Sequence, residues 1–164
     1  MDRYFERISF EQFKKDIKDD RKLYDEYKLP ERKTKNSAGY DLIAIEDFEL
    51  KPGEIIKIPT GYKVKMLPDE VLLIFVRSSM GFKYNIRMTN QTGVIDSDFY
   101  NNPDNEGHFY VSLQNEGDKV YKVKKGEAYA QGMFIKYLTC GEDVTSNRLG
   151  GLGSTNKKEG EKDE

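Results

Sequence analysis

Short apolar runs separated by turn residues dominate the chain from residue 41 onwards. Each run is rich in β-branched and aromatic side chains, and the prolines and glycines between the runs are typical of turns. The runs cover 42–45, 54–58, 62–66, 71–76, 108–113 and 130–138. Their number and spacing predict a mainly β fold, either a sandwich or a barrel.

A helical pattern precedes these predicted strands. Phe10, Phe13 and Ile17 recur at helical spacing. Ser9 followed by Gln12 has the form of a capping box, which marks the start of a helix. We therefore expect one short amphipathic helix within an N-terminal extension of about residues 1–28.

The length and composition indicate one domain over residues 1–155. The chain has 164 residues, and its 11 Tyr and 9 Phe supply enough aromatic side chains for a core. The charged segment 156–164 offers nothing to bury, so we expect a disordered tail there.

Charge and residue counts exclude several classes of protein. A net charge of −2 gives no general attraction for nucleic acid or for an anionic membrane. The apolar runs are far shorter than the roughly 20 residues of a membrane helix, and the N-terminus lacks the pattern of a secretory signal. A cytoplasmic protein is therefore expected. One Cys and one His can form neither an intrachain disulfide nor a Cys/His zinc cage.

Five polar or glycine-rich clusters stand out against the strand pattern. The first, 37–42, places Asp41 at the start of an apolar strand. A carboxylate there can hold a hydrated cation, because Mg²⁺ keeps several of its waters and needs few protein ligands. The alternative is an ordinary turn residue, which is the more frequent use of Asp in this position.

The second cluster, 76–81, directly follows an apolar run and contains Arg77, Ser78, Ser79 and Gly81. An arginine fork, two hydroxyls and accessible backbone N–H groups are suited to binding an oxyanion. A solvated loop is the alternative interpretation of the same residues.

The third cluster, 89–100, alternates polar and apolar residues and indicates a β-hairpin arm. Asp96 lies between Ile95 and Ser97, where partial desolvation would suit a general base. Plain surface alternation explains the pattern as well. Asp98 lies on the same side of a regular strand, so it is also a candidate to tune Asp96.

The fourth cluster, 124–133, is a turn that leads into a late strand. Gln131 has Ala130 and Gly132 as neighbours, and these small residues leave room for a ligand beside the amide. Taken alone, this pattern is a weak indication of a site.

The fifth cluster, 147–155, combines three glycines in four positions with Arg148, Ser154 and Thr155. Its backbone N–H groups can wrap around an anion, with charge from the arginine. It is not a Walker loop, because the Gly-Lys-Ser/Thr ending is absent. A flexible linker is the alternative, although a linker needs neither Arg nor Leu at its centre.

Taken together and in this order, the segments 38–42, 77–81, 93–98, 126–131 and 148–155 resemble the five motifs of the homotrimeric dUTPases of Gram-positive bacteria and their phages. The resemblance spans about residues 29–155, and 29–32 is similar to the opening strand of the family. It implies a distorted jelly-roll β-barrel, three chains per enzyme and active sites shared between subunits. The implied reaction is Mg²⁺-dependent hydrolysis of dUTP to dUMP and diphosphate by in-line attack of water on the α-phosphorus. That reaction would limit uracil incorporation into DNA and supply dUMP for thymidylate synthesis.

The resemblance also assigns roles to single residues. Asp96 matches the carboxylate that activates the attacking water, and Asp41 matches one that reaches the water shell of the metal. The other matched positions are implied to bind substrate. They are Arg77, Ser78 and Gln131 at the phosphate chain or attacking water, with Ser79 and Gly81 in the same motif; Asn90, Gly93, Val94 and Ile95 in the hairpin that reads uracil; and Arg148, Leu152, Gly153, Ser154 and Thr155 in a mobile C-terminal arm of about 144–155.

Three features depart from the family pattern. Phe99 stands where the family usually has a Tyr that packs on deoxyribose, and its ring is still expected to exclude a 2′-hydroxyl. Leu152 replaces the aromatic residue that commonly stacks on uracil, so a weaker grip is expected. The segment 100–107 is longer than usual and the first 28 residues are additional; partner binding and trimer packing are both possible uses.

Two further hypotheses concern other functions. A dCTP deaminase shares the Arg-Ser-Ser motif, but that family needs a Glu three residues before the Asn of its core strand. Here Ser112 has that spacing from Asn115. The second hypothesis is an interaction protein that binds a regulatory protein through its additional segments.

Overall fold

The computed structural model describes residues 2–141 and Arg148. Within that part of the chain the fold is mainly β, which confirms the predicted fold class. The predicted roles of Leu152, Gly153, Ser154 and Thr155, and the tail 156–164, lie outside the described residues. No helix in the described part is long and apolar enough to cross a membrane.

The described part contains eleven strands, three α-helices and one short 3₁₀ helix. The strands are β1 Tyr4–Arg7, β2 Tyr40–Ile43, β3 Phe48–Leu50, β4 Ile55–Pro59, β5 Tyr62–Lys65, β6 Glu70–Phe75, β7 Ile86–Met88, β8 Gly93–Asp96, β9 Tyr110–Asn115, β10 Tyr121–Val123 and β11 Ala128–Lys136. The helices are α1 Phe10–Asp16, α2 Arg21–Glu26, α3 Ser78–Tyr84 and the 3₁₀ helix Ser97–Phe99.

The strands form four antiparallel sheets. The largest has the order β2-β11-β6-β8, and a three-stranded sheet has the order β4-β9-β7. Two pairs, β1-β5 and β10-β3, complete the set. Few neighbours in these sheets are consecutive in sequence, so most contacts depend on long-range pairing.

The core lies between the sheets and consists of alternate residues from their inner faces. In β9 the burial alternates strictly, with Val111, Leu113 and Asn115 buried between half-buried neighbours. Alternation of this kind is expected for a strand with one face on the core. The short α-helices cover the core from the outside through buried side chains such as Phe13, Leu23 and Met80.

The N-terminal extension differs from the prediction of a single helix. It contains β1, α1 and α2, and β1 pairs with β5 from Tyr4 opposite Lys65 to Arg7 opposite Tyr62. The predicted cap of α1 is present, because the Ser9 hydroxyl accepts the Gln12 N–H at 3.1 Å. The cap of α2 is Asp20, which accepts the Leu23 N–H at 2.9 Å.

The segment 76–81 does not form the solvated loop of the alternative interpretation, because α3 begins directly after Arg77. Two further local predictions were wrong. The segment 29–32 forms only a single bridge, between Glu31 and Asp41, instead of a strand. The expected hairpin in 89–100 is not paired with itself: β7 joins β9, whereas β8 joins β6 in another sheet.

Candidate active site

A first cavity of about 630 Å³ brings three of the five clusters together. It is lined by residues of the first cluster, by the start of α3 and by β11. The lining residues are Lys33, Ser37, Ala38, Gly39, Asp41, Phe75, Arg77, Ser78, Ser79, Gln131 and Met133.

Strand pairing explains why the first cavity contains residues so distant in sequence. Gln131 on β11 lies opposite Asp41 on β2 and, on its other side, opposite Phe75 on β6. Arg77 follows two residues after Phe75. The sheet therefore places Asp41, Gln131 and Phe75 in one row across three neighbouring strands, and Arg77 lies just beyond the end of that row.

Asp41 is nearly buried and carries an unsatisfied oxygen. Its Oδ1 is 3.3 Å from Nε of Arg77. Its Oδ2 is buried and has no hydrogen-bond partner among the described residues. A buried carboxylate oxygen normally needs a donor, and the water shell of a metal would supply one.

The residues around Asp41 fit a metal ion that is held through water better than one that is bound directly by several side chains. The described part of the chain contains no group of three or more His, Cys, Asp or Glu side chains that could hold a metal. Mg²⁺ is commonly held by one or two carboxylates together with substrate phosphates and waters. The residues at the first cavity therefore fit Mg²⁺ contacted through water.

Gly39 is required for the position of the Gln131 amide. A Cβ at Gly39 would lie 2.5 Å from Oε1 of Gln131, which is closer than any real contact of this kind. The other end of the amide, Nε2, donates to the carbonyl oxygen of Val76 at 3.2 Å. The amide is thus held between the first cluster and the residue before Arg77.

Arg77 is the cap residue of α3, and the helix presents two hydroxyls to solvent. Ser78 and Ser79 are exposed in its first turn, while Met80 is buried beneath them. The side chain of Arg77 remains 41% exposed although it contacts Asp41. Its guanidinium is therefore available to an anion in the first cavity, and Gly81, in the next turn, leaves open space beside the helix.

A second cavity, of about 330 Å³, contains the third cluster and Arg148. The sequence prediction had placed Asn90, Gly93, Val94, Ile95, Asp96 and Phe99 in a substrate site, and all of them line this cavity. Five further lining residues were missed: Lys57, Asn105, His108, Phe109 and Tyr110. Their sequence pattern indicated only strand and loop, and pairing between distant segments brings them here.

Asp96 lies at the solvent-facing edge of its sheet. In the single chain its side chain is 56% exposed. The reason is that β8 is an edge strand of its sheet and Asp96 is its last residue. Arg148 forms ion pairs with Asp96 and, through Nε at 3.1 Å, with Asp98. The same guanidinium lies 6.0 Å from the ring centroid of Phe99.

Asp96 and Arg77 lie near opposite ends of β6. Asp96 pairs with Val71 near one end of this strand, whereas Arg77 follows its other end. Six residues of extended chain separate Val71 from Arg77, which corresponds to about 20 Å. Asp96 and Arg77 of one chain therefore line different cavities.

Comparison with known proteins identifies the family. A family model described as dUTPase matches residues 25–156. The deoxyuridine 5′-triphosphate nucleotidohydrolase of Lactococcus lactis is 45% identical over 130 residues, which cover 77% of this chain and 87% of that protein. The chain belongs to the dUTPase family. The enzyme of the same name from Haemophilus influenzae is 34% identical over 148 residues and 94% of its length is covered.

Solved structures of dUTPases share the fold of this chain. The dUTPase from Streptococcus mutans superposes with a TM-score of 0.66 at 37% identity, covering 84% of this chain and 98% of that chain. A dUTPase from phage phi11 of S. aureus superposes with a TM-score of 0.63 at 20% identity, over 88% and 96% of the two chains. The fold is thus the jelly roll of the dUTPases, as predicted, and the family inferred from the five clusters is confirmed.

Proposed function

We propose that this protein hydrolyses dUTP to dUMP and diphosphate by in-line attack of water on the α-phosphorus. One observation supports this most strongly. The predicted site residues that the structure describes, with the exception of Gly81, line two cavities, one with arginine, hydroxyl and amide groups and one with a carboxylate and an aromatic ring. The first combination suits a phosphate chain, and the second suits a nucleoside with an activated water.

In this proposal the phosphate chain occupies the first cavity. Arg77, Ser78 and Ser79 donate to phosphate oxygens, and the Gln131 amide orients a phosphate oxygen or the attacking water. Asp41 would hold Mg²⁺ through water. When bound, the ion would neutralise negative charge on the triphosphate. Phosphoryl transfer demands mainly positioning and charge stabilisation, so these residues meet its principal requirement.

The nucleoside occupies the second cavity. Asp96 accepts the proton of the attacking water, and the backbone around Asn90 to Ile95 contacts uracil. The ring of Phe99 lies against deoxyribose and leaves no room for a 2′-hydroxyl. Arg148 would exchange its ion pair with Asp96 for a phosphate oxygen when the nucleotide binds.

One complete site requires more than one chain. Asp96 and Arg77 are separated by about 20 Å along β6, which is far longer than a triphosphate. Both must act on the same nucleotide, so the second cavity of one chain would face the first cavity of another. A cyclic homotrimer with shared sites satisfies this geometry by repeating one contact three times.

The wider role follows from the reaction and stays a prediction. Removal of dUTP would limit uracil incorporation into DNA, and the product would supply dUMP for thymidylate synthesis. We expect the protein to act in the cytoplasm, where these nucleotides are used.

The decisive experiment compares four nucleotides. The purified chain is incubated with dUTP, dCTP, dTTP or UTP and Mg²⁺, and both diphosphate and the identity of the base are measured. Diphosphate release from dUTP alone, abolished by EDTA, is the expected result. Conversion of dCTP to a uracil nucleotide would indicate a deaminase instead. At the position where a deaminase needs its acid, this chain has Ser112, whose hydroxyl forms a hydrogen bond with the Thr89 hydroxyl at 2.8 Å.

A further inference from the structure

The single histidine of the chain lies under the second cavity. His108 is only 1% exposed, yet it lines this cavity together with Asp96, Phe99 and Tyr110. Its ring centroid is 4.6 Å from that of Tyr110. The two rings therefore form part of the wall against which a nucleoside would bind.

The hydrogen bonds of His108 define its tautomer. Nε2 accepts the backbone N–H of Gly61 at 2.9 Å, so this nitrogen carries no proton. The proton is on Nδ1, which donates to Oδ2 of Asp16 at 2.7 Å. A neutral ring with this tautomer satisfies both of its nitrogens.

Asp16 belongs to the N-terminal extension and connects it to the wall of the second cavity. It is the last residue of α1, and its side chain is 12% exposed. Besides the imidazole N–H, its Oδ2 accepts the Gln12 side-chain N–H at 2.7 Å. One nearly buried carboxylate thus holds the His108 ring, which packs against Tyr110.

The pKa values of these groups agree with a permanent contact. Burial raises the pKa of Asp16, but hydrogen bonds from Gln12 and His108 outweigh it and hold the pKa below its ordinary value. Burial, together with the charge of Asp16, raises the pKa of Tyr110 to about 12. The carboxylate is therefore charged and the Tyr110 hydroxyl keeps its proton across the neutral pH range.

A second connection joins the extension to the additional segment 100–107. The backbone N–H and hydroxyl of Ser9 donate to the Glu106 carboxylate. The Tyr100 hydroxyl donates to Glu6 at 2.6 Å. In the same loop, the Asn105 amide donates to the His108 carbonyl oxygen at 3.0 Å. The two segments that depart from the family pattern thus support each other.

We propose that Asp16 is a positioning residue for the nucleoside half of the active site. It orients the ring of His108, against which Tyr110 packs, and through this contact the N-terminal extension gives the second cavity the shape that accepts a deoxyribonucleotide. Residues 1–24 precede the part of the chain that the dUTPase family model matches, so Asp16 lies outside that match. The proposal rests on the dUTPase activity proposed above.

The test compares Asp16→Ala with Asp19→Ala in the full chain. Asp19 is exposed in the same extension, so the control removes the same charge without touching the rings. For Asp16→Ala, the KM for dUTP should rise about tenfold, with a smaller change in kcat, because the loss concerns ground-state binding. The preference for dUTP over UTP should fall by a similar factor. Asp19→Ala should match the wild type in every value.

A spectroscopic readout separates positioning from stability. Because the chain has one histidine, the ¹⁵N signals of its imidazole report His108 alone. The wild type should show the proton on Nδ1, and Asp16→Ala should change this signal. All kinetics are measured at a temperature at which circular dichroism shows the variants folded. If Asp16→Ala does not fold, His108→Gln is used, which keeps an acceptor for Gly61 but not the donor to Asp16.

Two results would overturn the proposal. One is a folded Asp16→Ala or His108→Gln chain with unchanged KM and unchanged dUTP preference. The other is a wild-type imidazole whose proton is on Nε2. Failure of the wild type to hydrolyse dUTP would refute the proposed function instead, and the imidazole spectrum would still report whether the Asp16 contact exists.

Discussion

Arg148 forms an ion pair with Asp96, the carboxylate proposed to activate the attacking water. The Arg148 side chain is 18% exposed, whereas that of Asp96 is 56% exposed. The arginine thus neutralises the proposed base and must release it before the base can accept a proton. Ion pairs with a solvent-exposed partner contribute little to stability, and Asp96 is such a partner, so the exchange costs little free energy.

Arg148→Ala should therefore affect activity much more than stability. The unfolding free energy should change by less than about 1 kcal/mol. The value of kcat/KM for dUTP should fall about 10²-fold, because the charge that stabilises the transition state is lost. The control is Arg87→Ala, which removes an exposed arginine paired with Glu116 at 2.8 Å outside both cavities. Equal kinetics of the two variants would contradict this role of Arg148.

Asp96→Asn should abolish most of the hydrolysis while leaving nucleotide binding intact. The amide keeps the shape of the side chain but cannot accept the proton, and general-base catalysis contributes about 10²–10⁴-fold. Diphosphate release and calorimetric binding of a non-hydrolysable dUTP analogue measure the two effects. Asp98→Asn is the matched control, because Asp98 contacts the same arginine but is not the proposed base. Near wild-type turnover of Asp96→Asn would exclude Asp96 as the base.

Gly39→Ala should lower activity with little effect on folding. The new methyl would displace the Gln131 amide, which is the flexible end of a side chain and can move at small cost. The amide would then lose its place in the first cavity, and kcat/KM should fall about tenfold or more. Gly141→Ala is the control, since nothing lies within 4 Å of its added Cβ. A Gly39→Ala chain with full activity would show that the position of Gln131 is unimportant.

Inactive chains should complement each other if the site is shared. Each shared site would take Asp96 from one chain and Arg77 from another. In random trimers of equal amounts of Asp96→Asn and Arg77→Ala chains, both residues are intact in about one quarter of the sites, so about one quarter of wild-type activity should return. Arg77→Ala mixed with Gln131→Ala should restore nothing, because both changes lie in the first cavity. No recovery in the first mixture, despite proven subunit exchange, would indicate sites within single chains.

His108 should make the protein less stable in mild acid. Burial lowers the pKa of His108 below its ordinary value of 6.5 and outweighs the opposite effects of Asp16 and Glu106. The other titratable groups near the imidazole are Tyr110 and Lys57, which lies over the Tyr110 ring. The unfolded chain therefore takes up the proton first, and the free energy of unfolding should fall as the pH drops from 6.5 to the folded-state pKa.

Urea unfolding between pH 7.5 and pH 5 measures this effect. His108→Gln should be less stable at pH 7.5 but should show a flatter pH dependence than the wild type. Asp16 contributes in a lower window, because its lowered pKa makes it lose its charge only below the ordinary value of 3.8. An identical pH dependence of the two chains would show that His108 does not titrate on unfolding.

Much of the fold and half of the site could be predicted from local pattern. The long strands β6 and β11 were predicted within two residues, because continuous apolar runs are a local signal. The three-residue strands β3, β7 and β10 were missed. So short a segment carries no period of its own, and pairing with a distant partner determines its conformation.

Some residues of the candidate site can likewise be recognised from the sequence, whereas others can be found only from the structure. Asp41, Arg77, Gln131 and Asp96 carry chemistry that is visible in the chain, and their order alone indicates the family. Nothing local distinguishes His108 from the other residues of the predicted run 108–113, and in the structure it precedes β9. Its role depends on Asp16, 92 positions away.

The sequence by itself determined the fold class, the family and the candidate site residues, because apolar periodicity and motif order are properties of the chain alone. Only the tertiary structure decided that these side chains occupy two separate cavities and that the N-terminal extension supports one of them. The physical reason is that antiparallel pairing carries residues from opposite ends of the chain to the same place. That pairing depends on the registers of β2, β6, β8 and β11 and on the burial they create together.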